Sequence, residues 1–182
     1  FSSRRRHTRY GTVTGVQTCA LPIFLTLIDD YLRERLDDFQ ADYTHTLDDG
    51  ALEAWPNYFT EDATYKIVTR ENFEAGLPMG IFYCNTAGMM RDRVLALRTA
   101  NIFEPHTYCH ILSRARYEKV GEEIKGRTNF QVVRTMQDGE MSLFLAGKYL
   151  DRLVEEAGEL KFKERIVVLE SRRIDVLLGI PV

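Results

Sequence analysis

The stretch GRTNFQVVRTMQDGEMSLFLAGKYLDRLVEEAGELKFKERIVVLE, residues 126–170, decides the fold of this chain. It predicts three strands, at residues 128–136, 141–150 and 160–170, and polar and apolar side chains alternate in the first and the last of them. Alternation with a period of two is typical of β-strands that have one dry face and one face that is wet or covered by a partner. Asp138-Gly139 supplies the positive φ angles that a tight hairpin requires, so the stretch predicts a curved antiparallel sheet.

The third of these segments divides its side chains into two sets. Polar and apolar residues occupy alternate positions, which predicts that the two sets point to opposite faces of the strand. The sets are Lys161, Lys163 and Arg165 on one side, and Phe162, Ile166 and Val168 on the other. The pattern therefore predicts that Arg165 shares the polar face with the two lysines.

The composition is that of a globular protein. The chain has 182 residues, of which 45% are hydrophobic and 28% are charged, and this is enough for a sizeable core. No apolar run approaches the roughly 18 to 20 residues that span a bilayer, so the sequence excludes an integral membrane protein. The formal charge of −3 gives no indication of a nucleic-acid partner.

Residues 1–23 differ from the rest of the chain. The segment contains no acidic residue, no amphipathic period and no helix cap, and its basic residues are Arg4, Arg5, Arg6 and Arg9. It resembles the translated read-through of a short-read sequencing adapter, and its apolar part is too short and too interrupted for a secretory signal. We therefore predict that residues 1–23 are a non-native artefact segment, that the true N-terminus is missing, and that residues 24–182 form a single domain.

The segments before the sheet alternate between helical and extended patterns. Residues 24–47 repeat apolar side chains at spacings of three and four, which predicts a long amphipathic helix. The patterns that follow predict a helix at 51–59, a strand at 63–69, a connection at 70–80, a strand at 81–84, a helix at 87–97 and a long strand at 106–120. Helices followed by an antiparallel meander predict an α+β fold, with the sheet wrapped around the long N-terminal helix. This layout fits the cystatin-like or nuclear-transport-factor-like cone.

His106 and His110 are four residues apart, a spacing that can hold a metal on a helix. Here the neighbouring residues alternate as a strand, in which four residues span roughly 13 Å, too far for both imidazoles to reach one metal at about 2 Å. A Rieske cluster needs two Cys and two His in paired short spacings, and Cys84 stands alone. Cys84 and Cys109 instead fit free thiols in a reducing cytoplasm. The sequence therefore predicts no metal or cofactor site in this chain.

A hollow cone would offer a different interpretation. Four residues could then line its pocket as general acids and bases: His45, Asp62, Tyr65 and His110. Against this, His45 lies near the end of a polar helical segment, and Asp62 lies in a turn where capping explains it. A stand-alone dehydratase or isomerase stays open as the alternative.

Two features of the sequence indicate a permanent subunit contact. Residues 55–83 are dense in aromatic side chains, and a surplus of aromatic residues and arginines is typical of such interfaces. The apolar tail at residues 174–182 would fray unless something covered it, so we predict that it lies in a subunit contact or against the sheet. The candidate interface residues are Trp55, Arg93, Val176, Leu177, Leu178 and Ile180.

Several stretches together resemble the small (β) subunit of ring-hydroxylating aromatic dioxygenases. WPNYFTEDATY at residues 55–65 is similar to the helix-to-strand entry of that family, and RDRVLALRTAN at residues 91–101 is similar to its mid-chain helix. PHTYCHILS at residues 105–113 resembles the family's Pro-x-x-x-x-His-x-x-Ser strand, and residues 162–182 resemble its closing strand and Leu-Leu-x-Ile-Pro end. The terephthalate-type subunits are most similar, followed by the benzoate and anthranilate types. Many relatives have Arg before the strand histidine and Asn after the serine, where this chain has Cys109 and Arg114.

The resemblance implies a cystatin-like cone and an α3β3 hexamer with a large (α) subunit. That large subunit would carry the Rieske [2Fe-2S] cluster and the mononuclear Fe(II), and a separate reductase would deliver electrons from NADH. This chain would then be a structural, non-catalytic subunit of a cytoplasmic oxidoreductase that cis-dihydroxylates an aromatic carboxylic acid.

Overall fold

The computed structural model describes residues 28–100, 104–172, 178 and 180–182. Helices come before the long strands, which confirms the predicted α+β layout. In chain order the elements are α1 (Asp30–Asp48), a 3₁₀ helix (Trp55–Tyr58), β1 (Phe59–Thr69), α2 (Arg70–Glu74), β2 (Phe82–Cys84), α3 (Ala87–Thr99), β3 (His106–Leu112), β4 (Arg116–Val120), β5 (Glu123–Met136), β6 (Met141–Glu156) and β7 (Glu159–Leu169).

Helix α1 begins later than the sequence pattern predicts. Residues 28 and 29 are not helical, and Asp29 caps the helix by accepting a hydrogen bond from the Leu32 amide at 2.7 Å. The predicted start at residue 24 lies outside the described residues. The buried side chains of α1 recur every three or four positions, as an amphipathic helix requires, and are Leu36, Gln40, Tyr43, Thr44 and Leu47.

The helix predicted over residues 51–59 is instead a turn followed by the 3₁₀ helix. Pro56 explains the difference, because it would lie in the interior of a helix over 51–59, where it has no backbone N–H to donate. In the 3₁₀ helix it lies in the first turn, where proline is tolerated. Strand β1 consequently begins at Phe59, before the predicted start at residue 63. The connection predicted after it contains α2, which Thr69 caps by accepting a hydrogen bond from the Asn72 amide.

The strands form one curved, open sheet in the order β2-β1-β7-β6-β5-β3, with β4 also paired to β5. The hairpins predicted at its centre are present, because β5–β6 and β6–β7 are antiparallel. Gly139 at the first turn has a φ of 90°, and Ala157 and Gly158 at the second have φ values of 52° and 86°. Strands β1 and β7 pair in parallel, with Tyr65 opposite Arg165, and this long-range pairing was not predicted.

The long strand predicted over residues 106–120 is broken into β3 and β4 by residues 113–115. Both parts pair with β5, so the chain continues along the same neighbour after the break. Ser113 holds the break in place: its amide donates to the Asn129 carbonyl at 2.9 Å, and its hydroxyl accepts from the Asn129 amide at 3.0 Å.

A β-bulge reverses the faces of β7. The pairing with β6 passes from Phe162 directly to Glu164, which leaves Lys163 as the additional residue. Phe162 and Arg165 are therefore both fully buried. The prediction that Arg165 shares the polar face with Lys161 and Lys163 is wrong, because one extra residue exchanges the two faces of a strand.

The aromatic residues that follow α1 form the centre of the core. The Trp55 ring packs edge-on against three other rings, with centroids 5.7 Å from Phe59, 5.1 Å from Tyr65 and 6.4 Å from Phe82. These residues belong to the 3₁₀ helix and to strands β1 and β2. The motif at residues 55–65 is therefore core packing between the short helix and the sheet.

Candidate functional site

An ion pair fills the space between α1 and the sheet. Arg165 on β7 donates from Nε to Asp151 Oδ1 at 2.8 Å and from Nη2 to Asp151 Oδ2 at 2.9 Å, and neither side chain has exposed surface. Gln40 of α1 accepts a further bond from Arg165 and donates to Asp151 Oδ2 at 2.7 Å. This network joins the helix to two neighbouring strands through charge-assisted hydrogen bonds.

Three aromatic rings enclose the Arg165 guanidinium group. Its central carbon lies 4.1 Å from the Tyr43 ring centroid, 4.2 Å from that of Tyr149 and 3.9 Å from that of Phe162. Burial opposes the charge on Arg165, but the Asp151 carboxylate outweighs this and holds the Arg165 pKa above its ordinary value. The space around Arg165, between α1 and the sheet, is thus occupied by side chains of this chain.

The residues that end the described chain pack against the same interior. Tyr65 donates from its hydroxyl to the Val182 carbonyl at 2.7 Å and accepts from the Val182 amide at 3.0 Å. Tyr43 donates to the same carbonyl at 3.3 Å and accepts from the Trp55 indole at 3.1 Å. Burial raises the Tyr65 pKa well above its ordinary value, so this phenol is a proton-bearing structural donor at neutral pH.

His110 is held by the end of α1. Its Nδ1 lies 2.6 Å from Asp48 Oδ1, and its backbone amide donates to Asp48 Oδ2 at 2.9 Å. The His110 side chain has no exposed surface. The pair therefore connects the C-terminal end of α1 to β3, and the imidazole has no contact with solvent.

The structure does not assemble the four residues of the alternative acid–base pocket into a site. His45 and Asp62 are exposed, and Asp62 accepts a hydrogen bond from the Thr60 hydroxyl at 2.8 Å. Tyr65 and His110 are buried and bonded to Val182 and Asp48 respectively. Two of the four thus face solvent, while the other two hold the fold together.

Within the described part of the chain, no group of three or more His, Cys, Asp or Glu residues is placed to hold a metal ion. His106 on β3 has its Nδ1 2.7 Å from the Glu104 carbonyl, whereas His110 is bonded to Asp48. Cys84 is buried and Cys109 exposed, and both are free thiols. None of the helices among the described residues is long and apolar enough to cross a membrane.

The candidate interface residues fall into four groups. Trp55 has 0% and Leu178 only 5% of its surface exposed, so both belong to the core of this chain and are not available to a partner. Ile180 is half-buried against that core. Arg93 is exposed on α3 and lies over the Phe82 ring at 4.6 Å. Val176 and Leu177 lie outside the described residues.

An exposed apolar surface lies beside the edge strand β2, and only its aromatic members, Phe73 and Tyr83, belong to the aromatic-rich stretch from which a subunit contact was predicted. Its members are large hydrophobic side chains of α2, α3 and the segment between them, with exposures that reach 50% at Tyr83 and 75% at Met79. We call them the apolar edge surface: Phe73, Leu77, Met79, Ile81, Tyr83 and Met89. Strand β2 is at the edge of the sheet, and exposed apolar side chains beside a free sheet edge are typical of interaction sites. The aliphatic members Leu77 and Met79 lie in the segment that the sequence predicted only as a connection.

The fold and its filled interior define an α+β cone whose polar centre is structural. Comparison with known proteins then gives the family. The family described as "Ring hydroxylating beta subunit" matches residues 44–176. This chain belongs to the family of ring-hydroxylating dioxygenase β subunits, as its resemblance to them predicted.

Individual relatives agree with this assignment. The small subunit of anthranilate 1,2-dioxygenase from Burkholderia cepacia is 43% identical over 79% of this chain and 89% of its own length. The β 1 subunit of the terminal oxygenase component of terephthalate 1,2-dioxygenase from a Comamonas species is 38% identical over 79% of this chain and 94% of its own. The crystal structure of an aromatic-ring-hydroxylating dioxygenase β subunit from Novosphingobium aromaticivorans is 38% identical, with a TM-score of 0.77 over 84% of this chain and 97% of that one.

Proposed function

We propose that this chain serves as the structural subunit of an oxygenase that cis-dihydroxylates an aromatic carboxylic acid. The observation that carries the proposal is the filled cone, because Arg165, Asp151 and their aromatic neighbours occupy the place of a substrate pocket. The anthranilate and terephthalate enzymes among its relatives support the substrate class. Choice between individual acids would belong to the large subunit.

The iron centres are assigned to that large subunit. A Rieske [2Fe-2S] cluster and a mononuclear Fe(II) require Cys, His and carboxylate ligands at close quarters. In this chain His110 is committed to Asp48, and His106 has the Glu104 carbonyl at its Nδ1. Electrons would come from NADH through a separate reductase, and the assembly would be α3β3.

Contact with the large subunit is proposed to involve the apolar edge surface together with Arg93. Arg93 lies beside β2, because its guanidinium group is over the ring of Phe82, the residue between Ile81 and Tyr83. Covering large apolar side chains is the main favourable contribution to most protein association. A permanent partner over this surface would remove both an exposed apolar patch and a free sheet edge.

The assignment of activity is tested with purified subunits. The isolated chain should contain no iron and should not oxidise anthranilate or terephthalate, even with reductase and NADH. Turnover should require the large subunit and should persist in the His45→Ala and Asp62→Asn variants, since both residues are exposed and outside any site. Stoichiometric iron in the isolated chain, or dehydratase activity that disappears with His110→Ala while the fold is retained, would contradict the proposal.

The proposed contact is tested by co-purification of the two subunits. The double change Met79→Asp and Tyr83→Asp places two charges in the apolar edge surface and should abolish recovery of the large subunit. The matched control is Met141→Asp with Leu143→Asp, which alters two hydrophobic residues on β6 that are 67% and 62% exposed. Equal recovery of the large subunit by both variants would show that the contact lies elsewhere.

A further inference from the structure

Three arginines form an exposed cluster on the outer face of the sheet: Arg114, Arg116 and Arg127. Arg114 lies in the break between β3 and β4, while Arg116 and Arg127 are directly opposite each other across β4 and β5. With Ser113 and Asn129 they line a crevice of about 270 Å³. We call these three residues the arginine cluster. Like charges directly opposite each other on antiparallel strands are destabilising, so the cluster is unfavourable in the isolated chain.

Most other arginines of the described residues differ from this cluster, because seven of the remaining ten pair with a carboxylate and only Arg33, Arg93 and Arg134 do not. Within the described residues, none of its three members forms an ion pair. Elsewhere the arginines that pair with a carboxylate are Arg35, Arg70, Arg91, Arg98, Arg152, Arg165 and Arg172. Three adjacent unpaired cations on a protein of net negative charge therefore indicate a surface that meets an anionic partner.

Helix α1 carries a complementary row of carboxylates. Asp30, Glu34, Asp38 and Asp42 are each four residues apart, which places them along one side of the helix, and all four are exposed. We call them the acidic row. None of them forms an ion pair among the described residues, and like charges at this spacing destabilise a helix. The row is on the side of α1 opposite its buried residues Leu36 and Tyr43.

The two charged surfaces lie on opposite sides of the molecule. Helix α1 packs on the face of the sheet that carries Asp151, because Gln40 bonds to that carboxylate. Gly126 is opposite Asp151 in the sheet, so the next residue, Arg127, points to the other face. The acidic row and the arginine cluster therefore cannot meet within one chain without disrupting the core.

We propose that the arginine cluster of one copy of this chain binds the acidic row of a second copy. The contact joins two different surfaces head to tail, so repeating it generates a ring if the rotation closes and a filament if it does not. Each association would neutralise two like-charge clusters that are unfavourable in the free chain. The inference goes beyond the proposed function, because it concerns this chain alone and needs no large subunit.

Sedimentation of the purified full-length chain over a range of concentrations tests the contact. The wild-type chain should self-associate at low ionic strength, and the association should weaken as salt screens the charges. Arg114→Glu, Arg116→Glu and Arg127→Glu together should weaken it by about a hundredfold or more, since the contact then places like charges together. Glu34→Lys, Asp38→Lys and Asp42→Lys together should have the same effect.

Combining the two sets gives the decisive result. A chain with all six changes meets its copies with the charges exchanged, so its self-association should return to near the wild-type level. An equimolar mixture of the two triple variants should also associate, because each supplies the charge that the other lacks. The matched control is Arg70→Glu, Arg91→Glu and Arg172→Glu, which changes the net charge equally on exposed residues outside the cluster and should leave association within about threefold of wild type.

Several outcomes would overturn the proposal. The first is a wild-type chain that stays monomeric at every concentration and salt level. The second is a control variant whose self-association is weakened as much as that of the arginine-cluster variant. The third is a six-change chain whose self-association does not recover. Deletion of residues 1–23 should leave self-association unchanged. If that deletion abolished self-association, the positive charges that bind the acidic row would be those of the N-terminal arginines and not those of the arginine cluster. Melting temperatures of all variants near that of wild type would show that the changes act on association and not on folding.

Discussion

Arg165 is a fully buried charge, and its neighbours show what keeps it ionised inside the protein. Two hydrogen bonds join it to Asp151, and three aromatic rings surround its guanidinium group. Taking both charges out of water is costly, and the pair recovers that cost only while both partners are present. Removing either residue should therefore lower the free energy of unfolding more than removing one partner of an exposed ion pair.

Replacing Arg165 should be among the most damaging single changes in this chain. Arg165→Met leaves the Asp151 carboxylate buried without its cation, and we expect the free energy of unfolding to fall by about 3–5 kcal/mol. Urea denaturation followed by circular dichroism measures the change. Adding Asp151→Leu should recover part of the loss, since no charge then remains buried.

An exposed ion pair serves as the control for Arg165→Met. Arg152 lies on the same strand as Asp151 and pairs with Glu123 at 3.0 Å, but its side chain is 39% exposed. Arg152→Met should therefore lower the free energy of unfolding by no more than about 1 kcal/mol. Similar losses for Arg152→Met and Arg165→Met would mean that burial does not set the strength of the interior pair.

Strands β6 and β7 approach each other so closely that a glycine is required between them. A Cβ atom on Gly147 would lie 2.2 Å from the Val168 carbonyl oxygen and 3.1 Å from the ring of Phe130. The Phe130 ring also stacks on Tyr149 with centroids 4.2 Å apart, so it has little room to move away. The two bulges, at Lys163 and in β6 near Phe144, lie on the strands that this contact joins.

Gly147→Ala should separate β6 from β7. The nearest obstacle is backbone, which cannot rotate away as a side chain would, so we expect a loss of about 1–3 kcal/mol or more in the free energy of unfolding. Gly88→Ala is the control, because its nearest neighbour would be at 3.6 Å and the position is helical. That change should stabilise the protein by about 0.5–1 kcal/mol. Equal effects of the two changes, measured by thermal and urea denaturation, would contradict the close approach.

In the molecule as a whole, the space between α1 and the sheet is filled by side chains and by the residue Val182 of the chain itself. Helix α1 contributes Gln40 and Tyr43, the sheet contributes the Arg165–Asp151 pair, and Val182 bonds to Tyr65. The described interior is therefore structural, and we propose that contacts with other subunits use three exposed surfaces. These are the apolar edge surface, the arginine cluster and the acidic row.

Residues 1–23 are predicted to contribute nothing to the stability or the assembly of the protein. Their sequence lacks a periodic pattern and a helix cap, and helix α1 is capped by its own Asp29. Deleting them should leave the melting temperature and recovery of the large subunit unchanged. Deletion through Leu36 is the control, because it removes a fully buried residue and the first turns of α1, and should lower the melting temperature markedly. A fall of several degrees on deletion of residues 1–23 alone would show that the segment packs on the fold.

The sequence by itself determined those features that depend on neighbouring residues. Asp138-Gly139 and Ala157-Gly158 turn where the pattern predicts, since their φ values are set by local sterics. The apolar period of α1 could also be recognised in the sequence and indicated the fold. The motifs at residues 55–65 and 105–113 could be recognised as well and indicated the family. Local periodicity and turn conformation depend on residues that are close together in the sequence, so they can be predicted from the sequence alone.

The tertiary structure alone decided the features that depend on distant parts of the chain. One extra residue at Lys163 turned Arg165 inward, and no local pattern distinguishes that bulge from a regular strand. The parallel pairing of β1 with β7 and the burial of Trp55 and Leu178 depend on which segments meet across the core. The arginine cluster and the acidic row likewise come to lie on opposite sides of the molecule only after folding. Alternation along a strand shows which side chains share a face, but only the packing of α1 on the sheet shows which face is covered and which is exposed.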